Sequence, residues 1–330
     1  MTAALGGRVE RHEVEWPQLV GNYLGDPATR TVITYLPAAY VREPERRFPV
    51  VHVLHGYTMD VESWVTPTSL YGGYLPEVDR LISSGELPPM ILVFVDGFTR
   101  LGGSQYVDSP GSGDYLSYLV DGVVPWADAT FRTLARAGSR AIQGHSSGGF
   151  GALYAAWSRP ELFGAVAPSA PDSLYEVVYP PVFAHAVELL RAAGTTYDAW
   201  SSGSAPIADD GDLMMCKGVS ACFSPAADGT EMLPFDPETG RLDDPVWARW
   251  LALDPVRLIG DDDRFPRVPV FLSVGTRDEF GLHAGVRALE RLLVRKGVDV
   301  VVTTADVDHC GIIGSMPAEL GRIAGAIRHE

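Results

Sequence analysis

One serine stands between two glycines in the run Gly144-His145-Ser146-Ser147-Gly148. Small residues at that spacing suit a sharp strand-to-helix turn that pushes a hydroxyl out at its tip, and glycine tolerates the backbone conformations such a turn imposes. A serine hydroxyl is a poor nucleophile at neutral pH and needs a base within hydrogen-bond reach. The chain has eight histidines. His12 and His329 lie near the termini, His52 inside an apolar run, His185 in an irregular stretch and His283 at the start of a helical pattern. His145 sits on the turn itself, where its ring is expected to point away. His309, in the loop Asp306-Val307-Asp308-His309-Cys310-Gly311 after a β-branched run, is the expected base. An imidazole in that role needs a carboxylate to hold its tautomer. Asp278 is expected to supply it, with Glu279 as the alternative. Asp306 and Asp308 stand too close in sequence to His309. The chemistry this set performs is acyl transfer through an acyl-serine. Its tetrahedral intermediate needs N–H donors aimed at the oxyanion. The backbone N–H of Ser147 and that of Tyr57, in the strand-ending turn His55-Gly56-Tyr57, are expected to provide them.

These residues must be delivered by strands ending at one edge. Phe48–Leu54, Pro89–Val95, Ala141-Ile142, Phe163–Ser169, Val268–Val274 and Val298–Thr304 read as strands, several of them apolar throughout, as strands buried on both faces are. Residues 8–36 read as two further strands. Helical patterns lie between them: one closing near Leu81–Glu86, Tyr115–Leu134, Phe150–Trp157, the face Leu282, Val286, Leu289, Leu293, and a last one from about Pro317. This alternation predicts an α/β chain with a mostly parallel, doubly wound sheet. In such sheets, ligands gather at the C-terminal ends of the strands, where Tyr57, Ser146, Asp278 and His309 all fall. From Pro171 to Pro266 the rhythm breaks into a stretch rich in Pro, Asp, Ser, Gly and scattered aromatics, with one expected helix near Val182–Ala192. It reads as a cap or lid inserted into a single domain. The acidic run Asp209-Asp210-Gly211-Asp212 lacks the further spaced ligands of a calcium loop and reads as a solvated turn.

Composition narrows the function classes. With 42 acidic against 26 basic side chains, the net charge of −16 repels phosphate backbones and anionic membranes, so nucleic acid is not an expected partner. No apolar run approaches the roughly 18 residues of a membrane span. Met1–Arg8 lacks the apolar core of a secretory signal, so a cytoplasmic location is expected, although a trimmed secreted form reads the same way. The three cysteines, Cys216, Cys222 and Cys310, suit a reducing compartment; a Cys216–Cys222 loop is the alternative for an exported protein. Neither a nucleotide-binding glycine pattern nor a metal-ligand cluster appears, and no cofactor is expected. Oligomeric state has no sequence signal.

Several segments resemble the putative-esterase branch of the α/β-hydrolases, the group of S-formylglutathione hydrolases, feruloyl esterases, enterochelin-type esterases and mycolyltransferases. They are Phe48–Gly56, Gly144–Leu153, Arg159–Ala165, Gly275–Phe280 and Asp308-His309. The resemblance implies an α/β-hydrolase fold, a Ser146–Asp278–His309 triad with Glu279 as the other candidate acid, and a small-molecule ester or thioester substrate. Gly102–Pro110 resembles a family loop near the site, and Trp64, Tyr106 and Asp108 are the expected pocket residues. Cys310 after His309 and the long insertion depart from the family pattern. Two alternatives use the same residues differently: an acyltransferase passing the acyl group to an alcohol or amine, and an inactive hydrolase fold used for binding.

Overall fold

The computed structural model describes residues 5–330; the first four residues of the Met1–Arg8 segment lie outside that range. Eight strands form one sheet: β1 (Arg8–Glu15), β2 (Thr29–Leu36), β3 (Val50–Leu54), β4 (Ile91–Val95), β7 (Arg140–His145), β8 (Ala165–Ser169), β9 (Val270–Gly275) and β10 (Val300–Ala305). A separate hairpin holds β5 (Asp108–Ser109) and β6 (Gly113–Asp114). The order across the sheet is β1-β2-β4-β3-β7-β8-β9-β10. Strands β4 through β10 of that sheet pair in parallel, and β2 runs against both of its neighbours.

The apolar runs become central strands because both faces of the sheet are covered. Val50 and Leu54 of β3 face one core with Ile91, Val93 and Val95 of β4. Val51 and Val53 alternate to the other face with Leu92 and Phe94. Every residue of β3, β4, β7, β8 and β9 is buried. On one face pack the helices Ser147–Ser158 and Leu282–Arg295; on the other, Tyr74–Ser84 and Met316–Ala326.

The expected helix over Tyr115–Leu134 stops at Thr130 and contains a π-helical stretch, Tyr118–Val123. It stops because the next residues have a main-chain partner: Phe48 N–H donates to Arg132 O, and Leu134 N–H to Phe48 O.

The stretch 171–266 is more helical than its composition suggests. Tyr175–Ala193 is one helix despite Pro180 and Pro181 in its interior, and Gly211–Phe223 is a second. Packing overrides propensity in the first. Tyr175 stacks on Phe223 at 5.9 Å and Tyr179 meets Trp250 edge-on at 4.9 Å. The Asp254 carboxylate accepts the N–H groups of Leu174 and Tyr175 at its start. The second helix approaches the loop after β4 through Gly218, where an added Cβ would stand 2.5 Å from Leu101 O. Cys216 and Cys222 are six residues apart on it. At about 1.5 Å rise per residue their Cα atoms are too far apart for a disulfide, so the Cys216–Cys222 loop does not close. Burial pushes both thiols up, Cys222 to about 12. The acidic run is used in place: Asp210 accepts from Trp200 Nε1 and Asp212 meets His185 Nδ1 at 2.7 Å. Among the described residues, no helix is long and apolar enough to cross a membrane.

Candidate active site

Strand β7 ends at His145 and the helix Ser147–Ser158 begins two residues later, leaving Ser146 on the turn at φ 58°, ψ −121°. A side chain in that region is under backbone strain, held by its surroundings. The glycines explain themselves by contact: a Cβ on Gly144 would lie 2.2 Å from Gly148 O, and one on Gly148 would lie 2.5 Å from Leu54 O. The Ser146 N–H donates to Ser169 O at 2.9 Å, which ties the turn to the end of β8.

Three side chains from three strand ends meet there. Ser146 Oγ lies 3.0 Å from His309 Nε2, and His309 Nδ1 lies 2.8 Å from Asp278 Oδ2. The other oxygen of Asp278 accepts the N–H groups of Phe280 and Leu282 at 3.0 and 3.2 Å, which fixes the carboxylate plane. Glu279 also reaches His309, but at its backbone: its Oε2 accepts the His309 N–H at 2.9 Å. Asp306 pairs with Arg277, and Asp308 accepts the Gly311 N–H.

His145 does not point away. Its ring centroid lies 4.6 Å from that of His309, with Tyr71 edge-on at 5.9 Å. Burial, reinforced by the nearby His309, pushes its pKa well down and keeps it neutral. The expectation failed because the elbow turns the residue before the serine inward, over the base.

On the other side of Ser146 stands the end of β3. The Gly56 N–H donates to Tyr71 Oη at 2.9 Å. His55 Nε2 accepts the Gly97 N–H, so its proton sits on Nδ1, facing Gly56 O at 2.9 Å. Among the described residues, the N–H groups of Tyr57 and Ser147 donate to no protein atom. The Tyr57 phenol reaches the carbonyls of Leu101 and, at 2.9 Å, of Met214 on the helix Gly211–Phe223.

The expected pocket residues lie elsewhere. Trp64 is fully buried and stacked on Tyr71 at 4.1 Å. Tyr106 is buried with its hydroxyl on His55 O. Asp108 is exposed and holds the Ser117 N–H and hydroxyl. All three brace the loops behind the site. The open space is walled partly by motif residues and partly by side chains that no motif marks, such as Leu70, Val178, Val182 and Met215. A cleft of about 370 Å³ is lined by Gly56, Tyr57, Leu70, His309 and Cys310. A narrower slot of about 40 Å³ is lined by Gln105, Asp172, Val178, Val182 and Leu282. Ser146, Tyr57, Met215 and Phe280 border both.

Residues 26–299 match the family model described as Putative esterase. The chain belongs to that esterase family. A 138-residue stretch, 41% of the chain, is 30% identical to the endo-1,4-beta-xylanase/feruloyl esterase of Xylanibacter ruminicola, covering 18% of that protein. The matched stretches span less than a third of the length of the curated relatives. Among solved structures, a ferulic acid esterase superposes with TM-score 0.66 at 18% identity, covering 98% of this chain and all of that one. The S-formylglutathione hydrolase from Agrobacterium tumefaciens gives TM-score 0.60 at 20% identity, over 99% and 98% of the two chains. These likenesses carry the α/β-hydrolase fold.

Proposed function

We propose that this member of the esterase family hydrolyses carboxylic esters of small molecules through an acyl-serine. The relay from Ser146 Oγ through His309 to Asp278, at 3.0 and 2.8 Å, carries the reading. Ser146 Oγ attacks the ester carbonyl while His309 Nε2 takes its proton. Asp278 holds Nδ1–H and stabilises the imidazolium. The unpartnered N–H groups of Tyr57 and Ser147 receive the oxyanion. The carbonyl then re-forms, the alcohol leaves with the proton from Nε2, and water repeats the sequence to release the acid and free Ser146. His309 lines the wide cleft and not the slot, so the alcohol leaves and water arrives on the cleft side. The acyl group occupies the slot. Residues 171–266 act as the cap, a reading supported by Val178, Val182 and Met215 lining the slot beside Ser146.

The test is Ser146→Ala with a panel of chromogenic esters, alongside fluorophosphonate labelling of the wild type. The variant should lose about a million-fold in kcat while staying folded, and the label should sit on Ser146. Turnover retained in the variant sinks the proposal.

A further inference from the structure

The wide cleft beside Ser146, which the ester-hydrolase reading gives to the leaving alcohol, carries charge of one sign. Two of its lining residues are carboxylates, Asp212 from the cap segment and Glu279 from the loop after β9. Glu279 is exposed and uses one oxygen, Oε2, for the His309 N–H. Asp212 meets His185 Nδ1 at 2.7 Å, and that histidine offsets its charge only while protonated. Among the described residues, no lysine or arginine lines the cleft. The basic side chains nearest in sequence are engaged elsewhere: Arg277 pairs with Asp306, and Lys217 donates to Ser201 Oγ at 2.7 Å. The positive charge that His309 takes up during each half-reaction is matched by Asp278, 2.8 Å from its Nδ1. A second, independent observation comes from His145. It lines the same cleft, is 2% exposed, and its Nδ1 has no hydrogen-bond partner among the described residues. Buried polar groups in native proteins ordinarily have partners. Burial holds this imidazole neutral, so it can accept an N–H without repelling a cation. Tyr57, Tyr71 and Phe280 add aromatic walls, whose faces attract cations as well.

We propose that the cleft is a leaving-group site for alcohols that carry a protonated amine, and that it turns away leaving groups that carry a carboxylate. A cleft lined by one sign of charge concentrates the opposite sign. An ammonium on the alcohol meets Asp212 and Glu279 at the walls and can donate its N–H to His145. A hydrocarbon alcohol fits the same walls but pairs with none of these groups. A carboxylate there faces two like charges with no basic side chain to offset them. The proposal rests on the ester-hydrolase reading and adds to it the class of leaving group.

The experiment compares kcat/KM for three acetate esters of matched shape: 3-(dimethylamino)propyl, 4-methylpentyl and 3-carboxypropyl. Each value is corrected for the ester's own alkaline hydrolysis rate. The assay runs at about pH 8, where the amine is protonated and the carboxylate ionised. The shared acyl group makes deacylation common to all three, so differences belong to the leaving group. Each partly exposed charge pair contributes about two- to fivefold, so the two together should favour the amine ester over the neutral one by about 10-fold at low salt. The carboxylate ester should be disfavoured by a similar factor. Asp212→Asn and Glu279→Gln should each lower the preference by about two- to fivefold, and raising salt to about 0.5 M should shrink it towards one. These ratios are independent of the fraction of folded enzyme, and the wild-type panel needs no variant at all. A wild type that cleaves the neutral or the carboxylate ester as well as the amine ester overturns the proposal. So does a preference unchanged in both variants, or one indifferent to salt. Failure of the ester-hydrolase reading looks different: no Ser146-dependent turnover of any ester, charged or not, and this proposal falls with it.

Discussion

Asp278→Asn separates the proposed triad acid from its neighbour. In the wild type, Oδ1 accepts two backbone N–H groups, from Phe280 and Leu282, and Oδ2 accepts from His309 Nδ1. Asparagine has one acceptor oxygen. The two backbone donors claim it, so the amide NH2 turns towards His309. It then donates to Nδ1 and forces the ring proton onto Nε2. Nε2 can no longer accept from Ser146 Oγ, now 3.0 Å away with no base facing it. The same tautomer reversal in other triads lowers kcat by about ten-thousand-fold, equivalent to roughly 5.4 kcal/mol of transition-state stabilisation. Glu279→Gln is the control. Its amide oxygen still accepts the His309 backbone N–H, so kcat should fall by less than about tenfold. Initial rates on a chromogenic ester, with circular dichroism to confirm folding, decide between them. Activity of Asp278→Asn within tenfold of wild type, or a larger loss from Glu279→Gln, refutes the tautomer argument.

Two further outcomes follow from buried groups away from the chemistry. Burial pushes the Glu319 carboxyl up to about 7, despite acceptor contacts with Gln143 Nε2 and Ser315 Oγ. The folded chain therefore keeps its proton between about pH 4.5 and 7 while the unfolded chain has lost it, so this group's contribution to stability falls as pH rises through that window. Glu319→Gln should flatten the fall and stabilise the protein above pH 7 by up to about 3 kcal/mol, read from urea unfolding at pH 5 to 8; an unchanged slope rejects the assignment. Cys216 and Cys222 are buried and Cys310 is half-buried at the cleft. An aromatic disulfide reagent should titrate one thiol in the native protein and three after denaturation.

The sheet was legible because burial on both faces writes itself into a sequence: Val50–Leu54 and Ile91–Val95 are apolar at every position except His52. The elbow was legible because contacts between backbones demand glycine at 144 and 148. His309 and Asp278 could be placed because strand ends converge, and that follows from topology alone. Other features depend on contacts that no local pattern encodes. Pro180 and Pro181 argue against a helix that Phe223 and Trp250 hold together from distant parts of the chain. Gly211–Phe223 shows no clean helical stripe because it is buried around most of its surface. The inward turn of His145 is set by the elbow's backbone, which fixes side-chain direction independently of residue type. Gln105 was hidden because what distinguishes it, a buried amide oxygen without a partner among the described residues, is displayed only by a folded chain. Trp64 and Tyr106, expected in the pocket, support the loops instead.

The Tyr57 phenol binds the inserted helix through a main-chain carbonyl, that of Met214. A carbonyl is present whatever residue occupies the position. Side chains of that helix, including Met215 in the slot wall, can therefore drift without releasing the loop that presents the proposed oxyanion donor. Substitutions there can retune the slot wall one at a time while the proposed catalytic machinery stays in place.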